Sequence, residues 1–154
     1  MDQKKLLKIL DSNNIKFELL IFSESVKDSK SSASASKLDL NKIAKTILFK
    51  DKKNNVYSVI VRSNERVQKS KVKAFLETSK LDLIKFEDVI KFVGFPAGGV
   101  PPFGYDAVFI MDSDLKDDEE VLVGGGTIYS LLKLKIKDIK KLINPRVVDV
   151  KQES

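Results

Sequence analysis

Two features of this chain have the makings of a reaction site: a lysine set in an apolar strand, and a stiff loop of glycine and proline. Lys45 stands in the run Ile43-Ala44-Lys45-Thr46-Ile47-Leu48-Phe49. At the mouth of such a strand its ammonium is partly desolvated, and it can hold a phosphate, a carboxylate or a carbonyl oxygen. The alternative is a strand-end lysine whose stem covers core while its head reaches solvent. Residues 94–105 read G-F-P-A-G-G-V-P-P-F-G-Y and hold four of the seven glycines and three of the four prolines. Glycine opens backbone angles closed to other residues, and proline locks φ and removes a donor. The loop has almost no reactive side chain. Its segment Gly98-Gly99-Val100-Pro101-Pro102 can instead aim backbone N–H groups at a developing oxyanion or a carbonyl. Read plainly, it is a stiff turn between a helix and a strand, although twelve residues is long for a connector.

The chain contains no cysteine and no histidine. That excludes disulfides, thiol nucleophiles, Cys/His zinc sites and imidazole bases together. Chemistry must come from lysine, carboxylates, hydroxyls, backbone groups, a carboxylate-held metal or the substrate itself. A second glycine cluster, Gly124-Gly125-Gly126, follows an apolar run. It fits neither the P-loop nor the G-x-G-x-x-G pattern, and close backbone packing or a bulge explains it equally well. Asp112, Asp114, Asp117, Asp118, Glu119 and Glu120 form an acidic cluster without the D-x-[D/N]-x-[D/N]-G order of a calcium loop, so it reads as a solvated acidic turn. No metal site and no cofactor is expected.

The elements that must position these groups follow from periodicity. Residues 2–13 have Leu6, Leu7, Ile9 and Leu10 near helical spacing, and residues 15–22 read as a strand. The serine-rich stretch 24–36 reads either as a flexible linker or as a short helix over 30–38, and the helix is favoured. Strands at 42–50 and 56–62 flank a turn at 51–55 and form an antiparallel hairpin. A helix over 68–78 turns Val72, Phe75 and Leu76 inward. A strand at 81–84 and a helix over 86–93, carrying Val89, Ile90 and Val93 and ending at Gly94, precede the loop. Strands at 107–111, 121–123, 128–134 and 146–150 follow, with a helix over 136–142. Strands outnumber helices without a βαβ repeat. The fold class is therefore α+β, a mixed, partly barrel-like sheet surrounded by helices.

The 154 residues suit one domain with its own core, and 42% apolar against 32% charged residues is an ordinary soluble balance. No apolar run reaches membrane-helix length, and Met1 to Lys5 lead into a charged amphipathic segment. A cytoplasmic protein with no membrane partner is expected; nothing in the sequence sets an oligomeric state. The net charge is +6, with 25 lysines among 28 basic residues. This excess raises the prior for a polyanionic partner, through diffuse phosphate attraction rather than base readout, but a plain lysine-rich surface has the same composition.

The motifs together resemble the YbaK/ProX family of aminoacyl-tRNA editing domains, free-standing relatives of the editing insertion of bacterial-type prolyl-tRNA synthetases. The resemblance runs from about Lys37 to Val150. It is carried by Ile43 to Phe49, by Gly94-Phe95-Pro96 with Gly98 to Gly104, by Val121 to Gly126, by Leu131-Leu132 and Asp138-Ile139, and by Val147 to Val150. It implies residues 1–154 as one YbaK-like editing domain that hydrolyses, in trans, the ester of a mischarged aminoacyl-tRNA. It implies a small amino acid such as alanine, cysteine or serine, with tRNA for proline as the favoured carrier and an aminoacyl-tRNA synthetase as a second partner. Lys45 matches the family's essential lysine, which orients the substrate near the 3′-terminal adenosine. Gly98, Gly99, Val100, Pro101 and Pro102 match its G-x-x-x-P element, with Gly104 and Gly125 beside the same pocket. Ser29 and Ser31 are the nearest hydroxyls to the family's size-setting helix, where Ser34-Ala35 stands in place of an Ala-Ala pair. Tyr105 stands where many members have histidine or leucine. Two other readings remain: a non-catalytic module that binds tRNA or an aminoacyl-nucleotide, and a hydrolase of other small esters.

Overall fold

The computed structural model describes residues 2–153 and has two sheets and five α-helices. Helix α1, Gln3–Ser12, starts because the Asp2 side chain accepts from the Lys5 N–H at 3.0 Å. Leu6 and Leu10, one turn apart, fall on the face it buries. Strand β1 is Glu18–Ile21. Helix α2, Ser29–Ser36, is the serine-rich stretch. Serine competes for backbone hydrogen bonds inside helices, so α2 depends on its ends. Asp28 and Ser31 close a capping box, and Lys37 ends it in the left-handed region at φ 60°.

A 3-10 turn at Leu40–Lys42 leads into β2, Ala44–Lys50, which pairs antiparallel with β3, Val56–Arg62. The Asp51 carboxylate closes their turn by accepting from the N–H groups of Lys53 and Asn55, both at 2.9 Å. Helix α3 is Lys69–Leu76 and β4 is Asp82–Leu83. A 3-10 turn at Phe86–Asp88 runs into the short α4, Val89–Val93, which ends on Gly94. The remaining elements are β5 Val108–Asp112, β6 Glu120–Gly124, β7 Ser130–Lys135, α5 Ile136–Ile143 and β8 Arg146–Val148.

The larger sheet has the order β4-β2-β3-β5-β8, with β3, β5 and β8 mutually parallel; the smaller, β1-β7-β6, is antiparallel. A single parallel bridge, Ile43 opposite Leu122, joins them along one side. This is the barrel-like element of the fold, and no closed barrel forms among the described residues. The larger sheet is covered on both faces. Ile60 of β3 belongs to the main core with Leu6, Met111 and Leu132, while its neighbours Val59 and Val61 enter a second core with Phe49, Val72 and Ile110. A strand buried on both faces needs a continuous apolar run, and V-I-V supplies it. One expected core position lies outside. Phe75 is 38% exposed. Its helix is eight residues long, too short for apolar spacing to fix which side faces in.

Arg62, at the end of β3, ties the acidic cluster down. All five of its N–H donors are used: on Asp114 Oδ2 and the Asp114 carbonyl, on both Glu119 carboxylate oxygens at 2.7 and 2.6 Å, and on the Asn41 carbonyl. Asp112 is buried and accepts from the N–H groups of Val150 and Asp114. Asp112, Asp114 and Glu119 thus form a structural clasp, while Asp117, Asp118 and Glu120 are exposed as a solvated turn would have them. Hydrogen bonds from Arg62 hold the carboxyls of Glu119 and Asp114 below their ordinary values. A depressed carboxylate stabilises the fold above its unfolded pKa, and that contribution disappears as pH falls through the lower folded value. Arg62→Ala is expected to cost about 2 kcal/mol at pH 7. It should also flatten the loss of stability below about pH 4. Urea unfolding at pH 7 and pH 3 measures both; an unchanged acid limb in the variant would contradict this role.

Candidate active site

A cavity of about 430 Å³ opens between the two sheets, a volume in the range of small-molecule sites. Residues 43–48 of β2 and the strand's entry form one wall. Val26 to Ser29 and Ser32 of the α2 region form another. Ala97, Gly98 and Val100 of the Gly/Pro loop form the third; Gly124, Leu131 and the buried Val89 complete the lining, with the exposed Leu83 and Phe86 at the rim. Lys45 and the Gly/Pro loop, some fifty residues apart in sequence, therefore border one space.

Lys45 lies opposite Val61 in the hairpin register. Its Nζ donates to the Ser63 carbonyl at 3.4 Å, and no carboxylate stands within 4.0 Å of it among the described residues. Burial pulls its pKa below the ordinary lysine value; the nearby Arg66 adds to this, and Glu65 offsets part of it. The result is a partly desolvated cation with spare donors, set against apolar Ile43, Ala44 and Ile47.

The loop is held from both ends by Phe95 and Phe103, 0% and 1% exposed. The Gly99 N–H donates to the Pro96 carbonyl, and the Gly99 carbonyl accepts from the Gly126 N–H at 2.8 Å. The Tyr105 hydroxyl donates to the Pro101 carbonyl at 2.9 Å, so the buried Ser58 hydroxyl, also 2.9 Å away, is the donor to Tyr105. Burial pushes the Tyr105 phenol well above its ordinary pKa, and it stays neutral. Tyr105 thus serves as a tie rod rather than a proton donor to the cavity. Held in this way, the loop leaves the N–H groups of Gly98 and Val100 without a partner among the described residues, and both residues line the cavity. Two free backbone donors on a rigid loop can stabilise negative charge that develops beside them.

The second glycine cluster serves this loop. A Cβ on Gly124 would overlap the Val100 carbonyl, and one on Gly99 would stand 2.7 Å from Thr127 backbone. Close packing of backbone on backbone is what these glycines permit.

Of the residues singled out in the sequence, Lys45, Gly98, Val100 and Ser29 line the cavity. Gly99, Pro101 and Pro102 are not among its lining residues, and neither proline has an N–H to offer. Gly104 adopts φ 99° where the loop leaves Phe103. Gly125 is not among the lining residues, and both its backbone groups are engaged elsewhere: its N–H donates to the Ser130 carbonyl and its carbonyl accepts from Gln3 Nε2. Gly124 lines the wall instead. Ser31 uses its hydroxyl and N–H in the α2 capping box, and Ser32, one residue on, is the serine in the wall. Sequence reading missed Asp28, Ser63, Leu83 and Phe86. Asp28 had a signal as a helix cap; Ser63 had none.

Residues 23–142 match the family model described as the aminoacyl-tRNA editing domain. Proline–tRNA ligase of Thermotoga maritima is 29% identical over 85 residues, 55% of this chain and 15% of the ligase. That of Caldicellulosiruptor bescii is 29% identical over 104 residues, 67% of this chain and 18% of the ligase. The chain thus spans less than a fifth of these curated relatives. Among solved structures, a candidate trans-editing enzyme for prolyl tRNA synthetase superposes with a TM-score of 0.84 at 25% identity, over 98% of this chain and 97% of that one. A hypothetical protein with 23% identity shares the fold at a TM-score of 0.88, over 96% of this chain and 99% of that one. Because the matched segment takes in the Lys45 strand, the Gly/Pro loop and the glycine cluster that seats it, this chain belongs to the aminoacyl-tRNA editing domain family.

Proposed function

We propose that the protein is a trans-acting deacylase that hydrolyses the ester between a small, wrongly attached amino acid and the 3′-terminal ribose of a tRNA. The observation that carries this reading is that one cavity is lined by the partly desolvated Lys45 and by Gly98 and Val100, whose N–H groups have no partner among the described residues, in a member of the editing family. Lys45 holds the terminal adenosine end and so orients the ester. Water adds to the ester carbonyl carbon, and the oxyanion forms against the Gly98 and Val100 donors. The bond from that carbon to the ribose oxygen then breaks. A proton from the water ends on the ribose oxygen, leaving a free amino acid and an uncharged tRNA. An aminoacyl ester is already activated, so orientation and oxyanion stabilisation suffice without cysteine or histidine.

The other parts of the surface suit this substrate. The net charge of +6 attracts the tRNA backbone without reading sequence. Phe86, 71% exposed at the cavity rim, offers a flat face on which an unpaired terminal base stacks. Val26, Ile43, Ile47 and Leu131 set the size of the side chain admitted. One methylene in such a pocket discriminates by only about 1–3 kcal/mol. Selection by size therefore suits a small amino acid carried on tRNA for proline. The test is a deacylation screen against tRNAs charged with alanine, cysteine, serine and threonine, with correctly charged prolyl-tRNA as the comparison. Release of one or two small residues at least tenfold faster than proline is expected. Salt-sensitive tRNA binding with no release from any of them would instead establish a binding module.

A further inference from the structure

Among the described residues five polar or charged ones are buried: Ser32, Ser58, Ser63, Asp112 and Ser130. Four spend their side chains on visible partners. Ser32 donates to the Val26 carbonyl, Ser58 bonds Tyr105, Asp112 accepts from the Val150 N–H, and Ser130 accepts from Gln3. Ser63 does not. It is 7% exposed, and its Oγ is the one buried side-chain nitrogen or oxygen without a hydrogen-bond partner among the described residues. An unpartnered buried hydroxyl destabilises a fold, and an apolar replacement of similar shape is neutral or better. A hydroxyl kept there for stability alone makes no sense.

Its location supplies the use. Ser63 follows β3 directly and lines the same cavity as Lys45. Its backbone is fixed, since its N–H donates to the Ile43 carbonyl at 2.7 Å, two residues before Lys45. Its carbonyl is what Lys45 Nζ touches, at a long 3.4 Å, the outer edge of a hydrogen bond. Serine has a single rotor between this rigid backbone and its oxygen. We infer that Ser63 is a positioning residue for Lys45: by rotation about its Cα–Cβ bond, its hydroxyl accepts a second hydrogen bond from Lys45 Nζ and fixes the direction in which the remaining ammonium protons point. This inference rests on the reading of Lys45 as the group that orients the ester. The charged groups around the ammonium are Arg66 and Glu65 beyond β3, with Lys27 and Asp28 in the facing wall. None is within 4.0 Å of Nζ as an ion-pair partner. The serine oxygen therefore has no stronger competitor.

The test compares Ser63→Ala and Ser63→Thr, alone and combined with Lys45→Ala. Ser63→Ala is expected to melt at the same or a higher temperature than the wild type. Its kcat for deacylation should fall about tenfold with KM within about twofold, the pattern of a lost orienting contact rather than lost binding. Its rate should begin to fall at lower pH, because the ammonium has lost an acceptor that favours the charged form. Ser63→Thr keeps the hydroxyl and should recover most of the rate. In the Lys45→Ala background, Ser63→Ala should cost nothing further. A readout without any tRNA separates this inference from the proposed function. Acylation of Lys45 by an activated ester, followed by peptide mass spectrometry across pH, should be faster in Ser63→Ala at a given pH. If the wild type releases no amino acid but this shift appears, the deacylase reading fails and the Ser63 contact stands. A lowered melting temperature with unchanged kinetics and unchanged acylation overturns the inference. So does a rate loss that persists in the Lys45→Ala background.

Discussion

Lys45→Ala is expected to lower kcat/KM for deacylation about 100-fold, the scale of losing one preorganised electrostatic contact, while the fold stays intact. Both halves follow from the same geometry. Nζ makes one long bond, to the Ser63 carbonyl at 3.4 Å, and belongs to no ion pair among the described residues. Its removal leaves no opposite charge stranded, and the strand pairing of residue 45 with Val61 is made by backbone. Stability should change by less than about 1 kcal/mol. Lys45→Arg should not restore the rate, because a planar five-donor fork cannot replace a compact ammonium in a wall of Ile43, Ala44 and Ile47. The pH dependence has a definite sign. Burial first, and Arg66 second, lower the Lys45 pKa. The charged form that orients the ester is complete at low pH and lost as pH rises through this lowered value. The rate should therefore begin to fall below the usual lysine range of about 10.4. Initial rates on mischarged tRNA, corrected for spontaneous ester hydrolysis, measure both effects. Wild-type turnover by Lys45→Ala would remove this residue from the mechanism.

Much of the site's material was legible because it is local. The Ile43–Phe49 run, the stiffness of residues 94–105 and the hairpin turn at Asp51 all depend on near neighbours in the chain. The Asp28 cap explains why a stretch as poor in helix formers as S-K-S-S-A-S-A-S becomes α2. What the chain's local pattern could not supply is what distant segments do to one another. Arg62 meets Asp114 and Glu119 across 52 and 57 residues, so part of the acidic turn is a clasp. Tyr105 reaches Ser58 across 47 residues. The parallel neighbours β3, β5 and β8 leave no short-range signature, because long crossovers separate them. Apolar spacing points Phe75 inward, but its helix is too short for that spacing to decide, and the ring is 38% exposed. Gly125 shows the limit most clearly. Its residue type and its place beside Gly124 suited a pocket wall, but two hydrogen bonds to Ser130 and Gln3 consume it.

Gly98→Ala is expected to damage both stability and rate, and this combination separates it from Lys45→Ala. Gly98 adopts φ 87°, in the left-handed region that side chains resist. Space forbids a side chain as well: a Cβ there would lie 2.6 Å from the Lys27 Cβ and 2.7 Å from the Lys27 carbonyl oxygen. These atoms belong to the segment leading into the Asp28 cap of α2, so relief requires the loop to lift or that segment to retreat. The loop end is pinned by the hydrogen bond from Gly126 to Gly99 and by the tie from Tyr105 to Pro101. Strain at such a position costs about 1–3 kcal/mol. The kinetic cost is larger than this suggests. Lifting the loop moves the Gly98 and Val100 N–H groups off the oxyanion, and a misplacement of about 1 Å is worth roughly 100-fold in rate. Gly99→Ala is the informative comparison. Its Cβ would press on Thr127 backbone at 2.7 Å, on the side of the loop turned toward the β6–β7 turn, so it tests crowding without the left-handed strain. Thermal unfolding and deacylation kinetics on all three glycine and lysine variants separate the roles. Lys45→Ala should lose rate alone, and Gly98→Ala should lose rate and stability together. A Gly98→Ala protein that melts early yet deacylates at the wild-type rate would show that the loop braces α2 and contributes no donor to the reaction.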